Sequence, residues 1–102
     1  MDDIASTESA FEIVRHALVE EFAIDQSAII REANIFVDLS IDSLDVLDLV
    51  CLLERKLSIK IPVDEWIFAV NQGEADVSEY FTVGALCDRL EQIRSTQSGE
   101  MY

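Results

Sequence analysis

The segment that follows Asp42 has the clearest helical pattern in this sequence. Its apolar residues recur every three or four positions, with acidic residues between them. They are Leu44, Leu47, Val50, Cys51, Leu53 and Leu57. This spacing places them on one side of an amphipathic helix, and that side has to be buried against other elements. The pattern predicts a helix that begins at Asp42 and ends near Leu57 or Ser58.

Two other segments have the same period. One runs from Thr7 to about Phe22, with Ser6 or Thr7 as its expected N-cap. The other has Thr82 as its expected N-cap and extends to Arg94. No run of alternating polar and apolar residues competes with these helices. The sequence therefore predicts an all-α bundle with three main helices and a minor one.

The connections between these helices differ in character. Residues 23–41 show no sustained period, but their scattered apolar side chains are typical of a long loop pinned onto a core. Between Pro62 and Thr82 we expect an added helical insertion. It should contain a short helix over residues 64–70 and a further helical turn over residues 78–81.

The composition combines a large apolar fraction with many acidic residues. Of the residues, 50% are hydrophobic, which argues against disorder, and 21 acidic residues against 7 basic ones give a net charge of −14. We expect a single domain over residues 1–94 and a disordered polar tail over residues 95–102. The acidic surface disfavours nucleic acid and anionic membranes and favours partners that carry basic patches.

The sequence has no pattern typical of export or membrane insertion. Met1-Asp2-Asp3 is acidic where a signal peptide is basic, and no apolar run is long enough to span a membrane. Cys51 and Cys87 form no C-x-x-C pair and lie on predicted apolar helix faces, where we expect both thiols to pack as small hydrophobic groups. We therefore expect a monomeric protein in the reducing cytoplasm, with no direct insertion into a membrane.

Ser43 directly follows the expected N-cap Asp42. Asp42 can accept a hydrogen bond from a first-turn N–H, while Ser43 projects its hydroxyl outward at a helix start that favours anions. A phosphodiester on Ser43 would be favoured by this position. From the spacing alone, however, an ordinary first-turn serine is the preferred interpretation.

The predicted helix after Asp42 carries several acidic residues. Asp42, Asp45 and Asp48 are three residues apart, and Glu54 lies further along. A solvated helix face is the usual explanation, and a docking strip for basic grooves of enzymes is the alternative. The spacing does not fit a calcium-binding loop, and so we expect no metal site.

A hydrolase that uses Ser43 and His16 is a poor fit to the sequence. His16 is the only histidine, and neither a G-x-S-x-G motif nor a glycine-rich phosphate loop is present. We therefore expect no catalytic residue, and His16 should lie at the surface or at its boundary.

The residues around Asp42-Ser43-Leu44 resemble a known family. Phe36-Val37-Asp38-Leu39 precedes them, and Ile59-Lys60-Ile61-Pro62 and Thr82-Val83-Gly84 follow. Together these segments are similar to acyl carrier proteins over roughly residues 10–94. The resemblance implies an acyl-carrier-type helical bundle whose Ser43 hydroxyl accepts 4′-phosphopantetheine from coenzyme A. The terminal thiol of that arm carries acyl groups as thioesters, and so the protein presents cargo and is not an enzyme.

The resemblance also implies partners. A phosphopantetheinyl transferase would load the arm, and fatty acid synthases and an acyltransferase with basic surfaces would use it. Asp42 would cap the helix and orient the site. The resemblance favours docking along the same helix, through Leu44, Asp45, Leu47, Asp48 and Glu54.

Two departures from the common family pattern stand out. Ser40 replaces a glycine, which costs conformational free energy if the φ angle there is positive. The insertion after Pro62 adds apolar residues, among them Trp66 and Phe81. An additional core helix is the simpler account of it, and a wall for a longer acyl chain is the alternative.

The insertion and the serine motif together resemble a specialised branch of the family, the AcpXL type. The matching residues are Ile41-Asp42-Ser43-Leu44-Asp45, Asp48, Trp66, Val70-Asn71, Gly73, Glu79-Tyr80-Phe81 and Leu86-Cys87. This resemblance implies a cargo of very-long-chain hydroxylated fatty acids for lipid A biosynthesis. Val50, Trp66 and Phe81 are the candidates for an acyl-chain pocket, which we expect to cover only part of such a chain.

Two alternative functions remain open at this point. The chain could be a stand-alone carrier for polyketide or aminoacyl groups. It could also be an acidic interaction module that uses no cofactor and binds a basic protein surface.

Overall fold

The computed structural model describes residues 9–99. Five α-helices follow one another: α1 (Ala10–Phe22), α2 (Ser43–Leu57), α3 (Val63–Asn71), α4 (Ser78–Phe81) and α5 (Val83–Gly99). A short 3₁₀ helix, Gln26–Ala28, lies in the long loop between α1 and α2. The predicted all-α bundle, including the helical insertion between Pro62 and Thr82, is confirmed. No helix within residues 9–99 has both the length and the apolar character needed to cross a membrane.

The start of α1 is later than the sequence suggested. Ser9 is the N-cap, because its side-chain oxygen accepts a hydrogen bond from the Glu12 N–H at 3.2 Å. A carboxylate from α5 adds a second cap, since Glu91 accepts a hydrogen bond from the Ala10 N–H at 2.7 Å. The predicted caps Ser6 and Thr7 lie outside the described residues, and the predicted helix start at Thr7 is wrong.

The boundaries of α2 agree with the sequence. Asp42 is its N-cap, and Ser58 ends it in the left-handed conformation with φ 57°. α1 packs against both α2 and α5, and α4 packs against α5. This arrangement fixes α2 on the bundle along one side only and leaves its other side exposed.

The buried side of α2 differs from the apolar stripe that the sequence suggested. Its buried residues are Val46, Leu49, Val50, Leu53 and Leu57. Leu44 is 73% exposed and Leu47 39% exposed. Apolar residues recur at helical spacing on two sides of this helix, and the packing of α1 and of the long loop selects the side that contains Val46 and Leu49. The expectation for Cys51 is also wrong, because Cys51 is exposed and only Cys87 is buried.

The loop over residues 23–41 is pinned to the core, as predicted. Ile29, Ile35 and Leu39 are buried, whereas Ile30 and Val37 in the same loop are exposed. Hydrogen bonds between backbone groups fasten this loop to the end of α4 and the start of α5. The N–H of Ile35 donates to the Phe81 carbonyl at 2.8 Å, that of Val83 to Ala33 at 2.9 Å, and that of Gly84 to Arg31 at 2.9 Å.

Gly84 is needed where α5 meets this loop. A Cβ atom at position 84 would lie 3.1 Å from the Arg31 carbonyl oxygen and 3.1 Å from the Arg31 Cβ. The absence of a side chain therefore permits the close approach of the loop to α5. Thr82 caps this helix as predicted, because its hydroxyl accepts a hydrogen bond from the Ala85 N–H at 3.2 Å.

The last helix extends beyond its predicted end. The sequence suggested that it stops at Arg94, but the backbone of α5 stays helical to Gly99. The remaining tail residues 100–102 lie outside the described residues.

Candidate functional site

Ser43 is the first residue of α2, and its side chain is exposed. Asp42, immediately before it, has an extended backbone with φ −84° and ψ 176°, and its carboxylate accepts a hydrogen bond from the Asp45 N–H at 2.9 Å. The Ser43 hydroxyl is therefore presented at a capped helix start, where N–H groups and the helix dipole favour an anion. These features fit a phosphodiester on the Ser43 oxygen.

The loop before Ser43 is braced by its own polar groups. The Asn34 side-chain oxygen accepts hydrogen bonds from the N–H groups of Phe36 at 2.9 Å and Val37 at 3.0 Å. The Asp38 carboxylate accepts a hydrogen bond from the Asn34 N–H at 2.7 Å. Closer to the site, the Ile41 N–H donates to the Ile35 carbonyl at 3.1 Å. These bonds hold the segment that leads into α2 against the core.

Ser40 has a positive φ angle of 57°. Residues with a Cβ rarely adopt this left-handed backbone conformation, which costs a serine about 1–2 kcal/mol relative to the right-handed helical region. The resemblance to the family implied a glycine at this position, and the serine that stands here accounts for the strain. The strained residue lies three positions before Ser43.

The predicted docking residues do not all have the same environment. Leu44, Leu47 and Asp48 are exposed, and Asp45 is half-buried. Together they form an exposed surface of α2 beside Ser43, with two large apolar side chains among the carboxylates. Leu44 and Leu47 therefore belong to the exposed side of α2 and not to its core face.

Glu54 differs from the other carboxylates of α2 in its hydrogen bonding. It is half-buried, and its side chain accepts a hydrogen bond from the Ile61 N–H at 2.8 Å. This bond closes the turn that follows α2. Sequence reasoning assigned Glu54 to docking and did not detect this contact. The only signal for it was a glutamate in the last turns of a helix that is followed by an extended segment.

The candidates for the acyl-chain pocket are all buried. Trp66 and Phe81 lie close together, with ring centroids 6.3 Å apart, and Val50 belongs to the same buried core. Two further rings lie beside them and were not among the predicted pocket candidates. Tyr80 stacks on Trp66 at 5.3 Å, and Phe36 meets Phe81 edge to face at 5.2 Å. The insertion thus contributes an aromatic layer to the core, as the simpler account of it predicted.

His16 and Cys87 are the other side chains considered for reactivity. His16 is exposed on α1, where it lines a surface depression together with residues of α1 and Gln26. Among residues 9–99, no group of three or more histidine, cysteine, aspartate or glutamate side chains is arranged to hold a metal ion. Burial raises the pKa of the Cys87 thiol to about 12, which leaves it protonated and unreactive near neutral pH.

A comparison with protein families covers this site. Residues 12–81 match the family described as a phosphopantetheine attachment site, a range that includes the Asp42 cap, Ser43 and most of the insertion. The chain belongs to the acyl carrier proteins. Members of this family are carriers whose chemistry is performed by other enzymes, and their cofactor is covalently bound 4′-phosphopantetheine.

Comparison with individual acyl carrier proteins indicates the branch of the family. The chain is 35% identical over 91 residues to the acyl carrier protein AcpXL of Rhizobium meliloti, which covers 89% of this chain and 96% of that protein. It is likewise 35% identical over 91 residues to AcpXL of Brucella melitensis, with 89% of this chain and 98% of that protein covered. An acyl carrier protein of Campylobacter concisus is 44% identical, but over 57 residues, 56% of this chain. This acyl carrier protein is therefore of the AcpXL type.

Proposed function

We propose that this acyl carrier protein bears 4′-phosphopantetheine on Ser43 and presents very-long-chain, hydroxylated fatty acyl thioesters for lipid A biosynthesis. The observation that carries the attachment is the exposed Ser43 hydroxyl at the capped start of α2, inside the region that matches the attachment family. The arm supplies the thiol that holds the acyl group. The bundle holds the arm at a helix start and contributes no base or nucleophile of its own.

Docking of the partner enzymes occurs on the exposed surface of α2 beside Ser43. Leu44 and Leu47 give apolar contact, while Asp45 and Asp48 attract basic side chains. A net charge of −14 raises the encounter rate with basic grooves and opposes self-association. We therefore propose a monomer that meets a phosphopantetheinyl transferase, fatty acid synthases and an acyltransferase in the cytoplasm. Glu54 contributes less to docking, because its carboxylate is already bound to the Ile61 N–H.

The cargo assignment rests on the AcpXL-type relatives and on the insertion. α3 and α4 place Trp66 and Phe81 in the core, so that a chain entering there would run along an aromatic wall. The core is close-packed, and a very long chain is larger than the space that a small bundle can open. The proximal part of the chain lies between the helices, and the distal part is covered by partner enzymes.

Intact-mass measurement after coexpression with a phosphopantetheinyl transferase tests the attachment. We expect the wild-type protein and the control Ser40→Ala to gain the mass of one phosphopantetheine, and Ser43→Ala to gain none. The control removes a neighbouring exposed serine and keeps the helix start. If Ser43→Ala gains the same mass as the wild type, the proposed attachment residue is wrong. A Ser43→Ala variant that binds its partners with unchanged, salt-sensitive affinity would favour a cofactor-free interaction module.

The cargo is tested by identifying the acyl group on protein isolated from its native cell. Thioesters are released with hydroxylamine, and the products are analysed by mass spectrometry. We expect very long hydroxylated acyl groups. If only aminoacyl or short polyketide groups are released, the chain is a carrier for another pathway while the attachment to Ser43 stands.

A further inference from the structure

The exposed side of α2 has two charge signs. Asp45 and Asp48 lie near Ser43, whereas Arg55 and Lys56 occupy the last turn, and both of these basic residues are exposed. The whole chain has only 7 basic residues, and two of them are adjacent here. Without Arg55 and Lys56, the whole helix would attract basic partners. The basic end of α2 therefore needs an explanation beyond overall charge.

An acidic and a basic residue lie on the same exposed face of the helix. Leu44, Asp48, Cys51 and Arg55 follow each other at intervals of three and four residues, and all four are exposed. At 1.5 Å per residue, Asp48 and Arg55 are about 10 Å apart along the helix axis. Shallow depressions flank the stripe at Cys51 and Arg55. One of them is lined by Glu54, Ser58, Ile59 and Lys60 as well.

Most other arginines already have partners on the protein surface. Arg15 pairs with Glu12, Arg31 pairs with Asp88 at 2.8 Å, and Arg89 lies over the Tyr80 ring. Within the part of the chain that the structure describes, the side chains of Arg55 and Lys56 make no such contact. Their charges are available to an approaching protein.

We propose that the phosphopantetheinyl transferase recognises α2 through a groove with two charge signs. Its basic groups meet Asp45 and Asp48, and its acidic groups meet Arg55 and Lys56. This inference rests on the proposed attachment at Ser43. Before the arm is attached, the Ser43 hydroxyl itself has to enter the transferase site, and so the enzyme has to lie directly on the helix that starts there. Enzymes that act later also dock on α2, but they reach the thiol at the end of the arm, and so their docking does not have to place the Ser43 hydroxyl at a reaction centre.

The basic residues at the end of α2 favour one orientation of the helix in the transferase groove. A purely acidic helix attracts a basic groove equally well in two opposite orientations. With Arg55 and Lys56 at the far end, the reversed orientation brings like charges together at both ends, which disfavours it. The correct orientation places the Ser43 hydroxyl at the transferase site.

A helix-dipole explanation accounts for part of the pattern, because cations near a helix C-terminus stabilise the helix by about 0.3–1 kcal/mol each. That effect concerns folding alone. It predicts lower stability without Arg55 and Lys56, and no change in the recognition of the folded protein by the transferase. The two explanations therefore differ in the rate of Ser43 modification.

The test compares two double variants with the same net charge. Arg55→Gln/Lys56→Gln removes two positive charges from α2, and Gln26→Glu/Gln92→Glu adds two negative charges elsewhere, at exposed positions. The apo proteins are incubated with coenzyme A and the transferase of the native cell, and modification is followed by intact mass. Circular dichroism at the assay temperature checks that each variant is folded.

We expect kcat/KM for Arg55→Gln/Lys56→Gln to fall about tenfold, mainly through KM, because two exposed charge contacts are lost. The control Gln26→Glu/Gln92→Glu should stay within about twofold of the wild type, and the difference should shrink at high salt. Equal rates for the two variants, or faster modification of Arg55→Gln/Lys56→Gln, would overturn this inference and leave the proposed function intact. A wild-type chain that gains no arm would overturn both.

Discussion

The backbone N–H of Ile61 donates a hydrogen bond to the carboxylate of Glu54 at 2.8 Å. The Glu54 backbone carbonyl also accepts the N–H groups of Ser58 and Ile59. One residue therefore holds both the end of α2 and the start of the extended segment that leads to α3. The position of the insertion relative to the Ser43 helix depends on this turn.

Replacing Glu54 should weaken the fold. Glu54→Ala leaves the N–H of the buried Ile61 without its acceptor, which should lower the free energy of unfolding by about 1–3 kcal/mol. Glu54→Gln keeps a neutral acceptor and should lose less. Urea unfolding followed by circular dichroism measures both. The exposed Asp48→Ala is the control, and a Glu54→Ala loss no larger than that of Asp48→Ala would contradict the structural role.

Glycine at position 40 should stabilise the protein. The Ser40 φ of 57° is strained for a residue with a Cβ, and Ser40→Gly removes that strain but increases the entropy of the unfolded chain. The net gain should be about 0.5–1 kcal/mol in the free energy of unfolding. Ser40→Ala keeps the Cβ and should gain nothing. Urea unfolding followed by circular dichroism measures the stability of both variants. Equal stability of the Gly and Ala variants would show that the φ angle carries no cost.

The two cysteines should react very differently with an alkylating reagent. Cys51 is exposed on α2, whereas Cys87 is buried and burial raises the pKa of its thiol to about 12. Because only the thiolate reacts, iodoacetamide at pH 8 should label Cys51 and leave Cys87 unmodified until the chain is unfolded. Peptide mass spectrometry after timed quenching measures both sites. Similar labelling rates in the native protein would rule out the burial of Cys87.

The buried thiol should also make stability fall at alkaline pH. Burial raises the pKa of Cys87 from 9.0 to about 12, with smaller effects from Arg31, Asp88 and Glu91. The folded state thus holds its proton more tightly than the unfolded state does. This contribution to stability is complete below pH 9 and is lost as the pH rises towards 12. Urea midpoints at pH 8 and about pH 10.5 should therefore fall more for the wild type than for Cys87→Ala, with Cys51→Ala behaving like the wild type.

Arg89 should be required for the rigid attachment of α4 to α5. Its guanidinium lies 4.1 Å from the centroid of the Tyr80 ring, and its Nε donates to the Glu79 carbonyl at 3.0 Å. Tyr80 in turn stacks on Trp66. Arg89→Ala should lower the free energy of unfolding by about 1 kcal/mol, and Arg89→Lys by less, since lysine keeps the cation but lacks the planar group.

The fluorescence of Trp66 reports on the same contact, because Trp66 is the only tryptophan of the chain. Its emission should shift to longer wavelength in Arg89→Ala as the aromatic stack loosens, and should stay unchanged in the control Gln92→Ala on the same helix. An unchanged spectrum together with unchanged stability in Arg89→Ala would show that the cation contact does not hold α4 in place.

The sequence by itself determined the local features of the Ser43 region. The period of the residues after Asp42 fixed α2, and an aspartate before a helix start is a cap in almost any surrounding, because its hydrogen bond is made within one turn. The cap at Thr82 follows the same rule. These features depend on residues close in sequence, and so no knowledge of the rest of the fold was needed to predict them.

Only the tertiary structure decided which side of each helix is buried and which polar groups meet across the chain. α2 has apolar residues on two sides, and helical spacing alone gave no reason to bury Val46 and Leu49 instead of Leu44 and Cys51. The Glu91 cap on Ala10 likewise joins residues at opposite ends of the sequence. Burial and such contacts depend on which elements pack together, and a helical period carries no information about the partner that covers it.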